Sequence, residues 1–482
     1  MARIFSEATK VLAWLGNGDP VLIQRALDYI CWYLNRGDIP ALAKYHRLLR
    51  RMGESDLRLA SYHWNKEDAS RHSTESIAFK DPPDDKTLEA LDHIYNRSYY
   101  RRGWIVQEVA LPRVVEVLYG EACIDNLFIH EFASLQNGYD PPYFKGTTEM
   151  TIAIIKTISL LRNTLHNSYN KWSFVDLLMM TVHHEFSDPR DKIYGILGLQ
   201  DVCYDFDLER LHFKPDYTIS VMECYKSIIQ TMVVDRGDMG FLTLVTHVDL
   251  PVDHWPSWVP RLDERRTEQL LNTVYYLLPT PGCLEATATR QTLGGHDCMQ
   301  IRGILVSKVE AVRKLLLHDS EYMQILVKSL QDRFGERSVA WTMTRGRTVS
   351  GVNMQLFPED EAQHMDAYRA FIHLGAAEAE LQGESLSMIL NVDPFYRAIC
   401  HRLEDFVLFE TEDVQLGIGQ ESIQPGDQVV WFFGGRMPFI LRPAGDKWRL
   451  VGVCFMYDLM EGEPVSQMEY DARYMAEDFT IF

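Results

Sequence analysis

A short apolar strand stands at the very start of this chain, and a matching one follows only after a long helical stretch; no other feature limits the fold as much. Lys10-Val11-Leu12-Ala13-Trp14-Leu15-Gly16 reads as a buried strand closed by a glycine turn, and Val114-Val115-Glu116-Val117-Leu118-Tyr119-Gly120 alternates into another. Between them Leu22, Ala26, Tyr29, Ile30 and Tyr33 share one face of a helix over 21–35. Further helices are expected over 42–52, through Leu91 and Tyr95, and over 101–110, where Pro112 stops the last; Asp81 to Asp85, with Pro82 and Pro83, reads as a loop. A strand–helices–strand order calls for a parallel α/β layer, because parallel strands need a long crossover.

The chain has 482 residues, enough for roughly two to four domains. Its 46% hydrophobic and 24% charged residues suit packed globules. Against 68 Asp+Glu stand 48 Lys+Arg, a net charge of −20, so nucleic acid and anionic membrane are poor partners. The nearest basic patch, Lys44, His46, Arg47, Arg50 and Arg51, has the helical spacing of a solvated face, and the acidic tail from Asp458 reads as solvating. Eight cysteines lie scattered without a C-x-x-C pair, as reduced thiols do. The start Met1-Ala2-Arg3-Ile4 has no signal pattern, and the apolar stretch Leu270 to Leu284 is broken by Pro279, Pro281 and Gly282, so no membrane span and a cytoplasmic location are expected.

Downstream, 147–235 is helical with breaks near Ser168, at Ser187–Arg190 and around Pro215. A Pro/Trp turn follows at Trp255–Pro260, then a strand over 299–309, helices over 321–334 and 360–375, and β runs with glycine turns from Asp405 to Met456. The expected division is an α/β domain over 1–145, a helical region over 146–270, and an α+β region over 271–482 with an antiparallel meander at about 405–456.

The common catalytic and nucleotide motifs are missing. Gly417 and Gly419 form half of a dinucleotide fingerprint, in a loop expected to precede β structure. His183-His184-Glu185 does not make a metal site, since adjacent helical residues point about 100° apart. Three segments carry more. In Tyr99-Tyr100-Arg101-Arg102-Gly103-Trp104-Ile105-Val106-Gln107-Glu108, Trp104 and Glu108 share a helix face, so a carboxylate stands beside an indole. Such a pair can stabilise the oxocarbenium-like cation of a breaking glycosidic bond; the plainer alternative is an amphipathic helix with Trp104 in the core and Glu108 paired to Arg101 or Arg102. In Ser187-Asp188-Pro189-Arg190-Asp191-Lys192-Ile193-Tyr194-Gly195, Asp188 is expected as N-cap, Pro189 at the first helical position and Gly198 as the end. Gln424 to Cys454 is the meander itself.

Together these segments resemble the fungal heterokaryon-incompatibility (HET) domain proteins. Arg102-Gly103-Trp104-Ile105-Val106-Gln107-Glu108 looks like that domain's Arg/Trp/Gln-Glu block, and Val11 to Gly16 like one of its strands. Asp188 to Gly195 is similar to the signature after the domain, and Pro256-Ser257-Trp258-Val259-Pro260 and Gly426 to Glu463 to its C-terminal region. The resemblance implies non-self recognition and regulated cell death, with other incompatibility proteins or a second copy as partner. It further implies a TIR-like, flavodoxin-like parallel sheet with a helical insertion, in which Glu108 is the catalytic carboxylate and Trp104 the pocket wall. NAD is then a substrate, and neither a resident cofactor nor a metal is expected. The family's first two strands have no counterpart before Val11, so an N-terminally truncated domain is expected, with apolar surface exposed on the 11–15 strand at an open sheet edge. Two readings follow: a non-catalytic interaction protein, or an NAD glycohydrolase using Glu108.

Overall fold

The computed structural model describes residues 2–34, 83–135, 147–167, 171–203, 213–246, 255–264, 287–293, 296–346, 360–374, 385–403, 405–435, 437–461 and 475–482. The helix expected over 42–52, the basic run Lys44–Arg51, the apolar stretch 270–284 and most of the acidic tail lie outside them. The chain separates into two units, Met1–His212 and Phe213–Phe482.

The first unit runs α1 (Ala2–Glu7), β1 (Val11–Trp14), α2 (Pro20–Leu34), α3 (Asp85–Tyr95), α4 (Ile105–Ala110), β2 (Val115–Tyr119), β3 (Ala122–Asp125), α5 (Asn126–Leu135), α6 (Thr147–Asn167), α7 (Phe174–Thr181) and α8 (Asp191–Tyr194). β1 pairs with β2 in parallel, from Val11 opposite Val115 to Trp14 opposite Leu118, as the strand–helices–strand order requires. β3 completes a hairpin on the other side of β2, a strand too short to stand out in the sequence. Gly16 and Gly120 take positive φ, 97° and 57°, where the two strands end, and the Gly120 N–H donates to Gly16 O at 2.9 Å. α2 buries Ile23, Ala26, Leu27, Tyr29, Ile30 and Leu34, each of the larger ones contributing about 1.5–3 kcal/mol over an exposed position. The loop before α3 ends in its cap: Asp84 Oδ1 accepts from Thr87 N at 2.8 Å and from Arg25 of α2 at 2.9 Å. Those hydrogen bonds, from Thr87 foremost, hold the Asp84 carboxyl down to about 2.

The second unit runs α9 (Val221–Gln230), β4 (Ala288–Leu293), β5 (His296–Lys314), α10 (Ser320–Phe334), α11 (Glu336–Met343), α12 (Asp360–His373), α13 (Leu386–Val392), α14 (Pro394–Arg402), β6 (Phe406–Thr411), β7 (Leu416–Gln420), β8 (Gln428–Phe432), β9 (Phe439–Ala444), β10 (Lys447–Phe455), α15 (Tyr457–Glu461) and β11 (Ala476–Ile481). The expected meander closes on itself. β5 pairs with β6, β6 with β7, β7 with β10, β10 with β9, β9 with β8 and β8 with β5, a ring of six strands. β5 is longer than its apolar run suggests, and register shifts at Leu305/Ser307 and Val309/Ala311 mark where it passes from β8 to β6. Val306, Val309, Val407, Phe409, Val429, Trp431, Ile440 and Val451 belong to one buried cluster, so the barrel has a packed core. β11 lies antiparallel to β5 and touches β10. The Trp255–Pro260 turn secures that side: the Leu450 N–H donates to Ser257 Oγ at 3.0 Å, the Ser257 N–H to Phe482 O at 3.0 Å, and Trp258 is fully buried.

Candidate functional site

The helix expected over 101–110 begins at Ile105. Ser98–Arg101 is a separate 3₁₀ turn and Arg102 is extended, with φ −64° and ψ 134°. A two-way bridge to a distant segment causes the break: the Gly103 N–H donates to Glu185 O at 2.7 Å, and the Glu185 N–H to Arg101 O at 2.6 Å. The Glu108 N–H still donates to Trp104 O at 3.1 Å, so Trp104 and Glu108 keep their i, i+4 relation. Between 101 and 110 the residues that are not buried are Arg101, Arg102, Trp104, Glu108 and no others.

Behind this face the two signature segments lock into one clasp. A Cβ on Gly103 would lie 2.1 Å from the Phe186 ring, and one on Gly195 would lie 2.4 Å from it, so the two glycines make room for a single aromatic side chain. The Gln107 amide, buried, donates to Gly195 O at 2.6 Å. Lys192 is buried as well, and its ammonium donates to Val182 O at 2.5 Å and His184 O at 2.9 Å. The helix expected to start at Asp188 starts at Asp191 and closes at Gly195, not Gly198. Asp188 instead accepts from Arg190, from its N–H at 3.0 Å and its Nε at 2.9 Å, and the Arg190 side chain holds the carboxyl below its ordinary range.

Glu108 is partly buried. The Tyr99 hydroxyl donates to Glu108 Oε2 at 3.5 Å, a long contact. Burial, foremost, and then Glu108 push the Tyr99 phenol well above its usual value, while Arg102 opposes the rise. Neither pairing anticipated for Glu108 forms: Arg101 binds Glu185 at 3.2 Å, and Arg102 makes no ion pair among the described residues. The Trp104 indole stands edge-on to Phe186, ring centres 6.2 Å apart. At the far end of α4, Arg162 of α6 donates to Val109 O at 2.6 Å and to the carbonyls of Pro112 and Arg113, while His166 Nε2 lies 3.0 Å from Ala110 O. Burial lowers the Arg162 guanidinium to about 10. Nothing in the sequence pointed to Tyr99, Arg162 or Phe186, because each acts through a partner remote in the chain or on another element.

His184 is fully buried, its Nδ1 lies 3.1 Å from Thr181 O, and burial pushes it down to about 3. Among the described residues no group of three His, Cys, Asp or Glu side chains could hold a metal. Gly417 and Gly419 lie inside β7, not in a loop, and a Cβ at Gly417 would fall 2.1 Å from the Phe409 ring. No helix among the described residues is long and apolar enough to cross a membrane. On the sheet of the first unit, β1 pairs with β2 and with no other described strand. Leu12 and Trp14, two residues apart and so on one face, are 56% and 63% exposed.

Comparison with known proteins matches residues 306–476 to the Het-6 beta-barrel domain, most of the closed ring and its helices. The heterokaryon incompatibility protein 6, OR allele, of Neurospora crassa is 22% identical over 360 residues, which cover 60% of this chain and 51% of that protein. The chain thus spans about half the length of this relative. No solved structure matches it.

Proposed function

We propose that this heterokaryon-incompatibility protein, which carries a Het-6 beta-barrel domain, acts in non-self recognition and the regulated death that follows it, and that it works by association through the first unit. One observation carries the mode of action: the exposed Leu12 and Trp14 on a strand with a single described neighbour. An apolar strand with an edge unpaired among the described residues is a template for another chain, and β1 itself has no charged or proline residue to blunt it. The partner is a second copy or another incompatibility protein. Two differently tagged copies expressed in one fungal cell should be recovered together, and Leu12→Asp with Trp14→Asp should abolish both the recovery and the death of the cell. Recovery undiminished by the two aspartates would remove the edge as the carrier.

A second reading, hydrolysis of NAD, is favoured by the half-buried Glu108 carboxylate beside the Tyr99 hydroxyl and on the same face as Trp104. In that reaction the bond from ribose C1′ to the pyridinium nitrogen breaks and nicotinamide leaves with its electron pair. Water adds to C1′ and releases one proton, so NAD and water give ADP-ribose, nicotinamide and a proton. Glu108 would stabilise the cationic centre, a role whose removal costs on the order of 10²–10³ in rate. Nicotinamide release by the full chain, lost in Glu108→Gln, is the expected result. A wild-type chain that releases none defeats this reading and leaves the first standing.

A further inference from the structure

We propose that the second unit carries a binding site for an organic cation, an amine on an apolar body, in a cavity of about 480 Å³ where β5, α14 and β6 meet. The site is independent of both readings above, since every residue that lines it belongs to the second unit. Its volume falls within the range of small-molecule sites, about 300–1,000 Å³. Three pieces of chain build most of it: the end of β5 with the loop after it, the last turn of α14, and the turn that leads into β6.

Leu315, Leu317, Leu403 and Phe406 give the cavity an apolar lining. The Leu317 carbonyl within it accepts from the Cys400 thiol at 3.3 Å and from the Tyr396 hydroxyl, which uses both of its lone pairs. That carbonyl therefore asks nothing polar of a ligand. The charged groups differ in this respect. Lys314 and Glu421 bind each other and offset one another. Asp405 and His318 remain, and neither side chain has a hydrogen-bond or ion-pair partner among the described residues. Asp405 is half-buried and its backbone is fixed: its φ is 66°, its carbonyl accepts from the Glu421 N–H at 3.0 Å, and the Phe406 N–H donates to Leu403 O at 3.1 Å. A left-handed residue other than glycine is a local cost, of the kind that binding sites retain. A carboxylate beside an apolar cavity with no counter-charge is another. The ligand's charge follows. An anion is repelled by Asp405, and an uncharged molecule leaves it unpaired. A cation with an apolar body covers the leucines and gives the carboxylate a charge-assisted hydrogen bond. The net charge of −20 favours the approach of the same sign.

The test titrates the full chain calorimetrically with tryptamine, tryptophol and indole-3-acetate, which share an indole and are at neutral pH a cation, a neutral alcohol and an anion. Tryptamine should bind on the order of tenfold more tightly than tryptophol, and indole-3-acetate more weakly than either. Asp405→Asn removes the charge and suits the same left-handed backbone, so it should erase the preference for the amine. Equal affinities in the wild type, a preference kept in Asp405→Asn, or no binding of tryptamine would each overturn the proposal. Cys400 reports the place of binding. Saturating tryptamine should slow its alkylation several-fold, read by peptide mass, without slowing that of the exposed Cys123 in the first unit. Labelling of Cys400 that is unchanged at saturation would put the amine elsewhere and overturn the site. If Asp405→Asn fails to fold, the wild-type ranking and the Cys400 protection decide the matter by themselves.

Discussion

At the level of single residues, the two stretches that stand out in the sequence are held together by one aromatic ring. Phe186 fills a slot whose walls are Gly103 and Gly195, and the slot exists because neither wall carries a side chain. The sequence motif Arg102-Gly103-Trp104 is therefore in part a packing requirement, with the Trp104 indole edge-on to the same ring. Gly103→Ala should destabilise the first unit by about 1–3 kcal/mol, the usual cost of forcing extra volume into a filled site. In a Phe186→Ala background the same substitution should cost less than half as much, since the new methyl then meets space instead of a ring. Urea unfolding of the four members of this cycle gives the coupling directly. Additive effects would mean that the ring is not what forbids a side chain at 103.

Single elements depend on neighbours that the sequence does not advertise. α4 is only six residues long, too short to be stable by itself, and it is tied at both ends. The clasp holds its start, and Arg162 and His166 of α6 take the carbonyls at its finish. Arg162→Met keeps much of the volume but leaves those buried carbonyls without a donor, a loss of about 3 kcal/mol. Amide hydrogen exchange should then quicken in 105–110 more than in α2, and equal protection would show that α4 does not rely on Arg162. The same dependence explains what was legible beforehand. β1, β2, α2 and α10 follow their own apolar periods and were readable, as was the i, i+4 relation of Trp104 and Glu108. The break at Arg102 was not, because it is made by hydrogen bonds to Glu185. Barrel closure was not either: β5 meets β6 and β8 with bulges at each passage, and β7 skips to β10, pairings that no local pattern encodes.

Over the whole molecule, the balance of buried titratable groups sets how the fold responds to acid. His130, with Nδ1 2.6 Å from Ser159 Oγ, and His184 are both fully enclosed in the first unit, and burial pushes each down to about 3. The unfolded chain binds their protons near the ordinary value of about 6.5. The folded pKa values are the depressed ones, so the unfolded state holds more protons and stability falls as pH drops below about 6.5, continuing toward about 3. His93 and His166 are lowered too, chiefly by burial, and act in the same direction. Asp28 and Asp125 are raised by burial and oppose the loss, but only near and below their own titrations, at more acid pH. From pH 7.5 to 5.5 each of the two enclosed imidazoles costs about 1.4 kcal/mol, or about 3 kcal/mol together. Once intrinsic exchange rates are allowed for, the amides of α5, α6 and α7 should therefore be less protected at pH 5.5 than at pH 7.5. Replacing both imidazoles, His130→Gln with His184→Gln, should flatten that pH dependence whatever it does to stability at neutral pH. A dependence that persists undiminished in the double variant would assign the acid response to other groups.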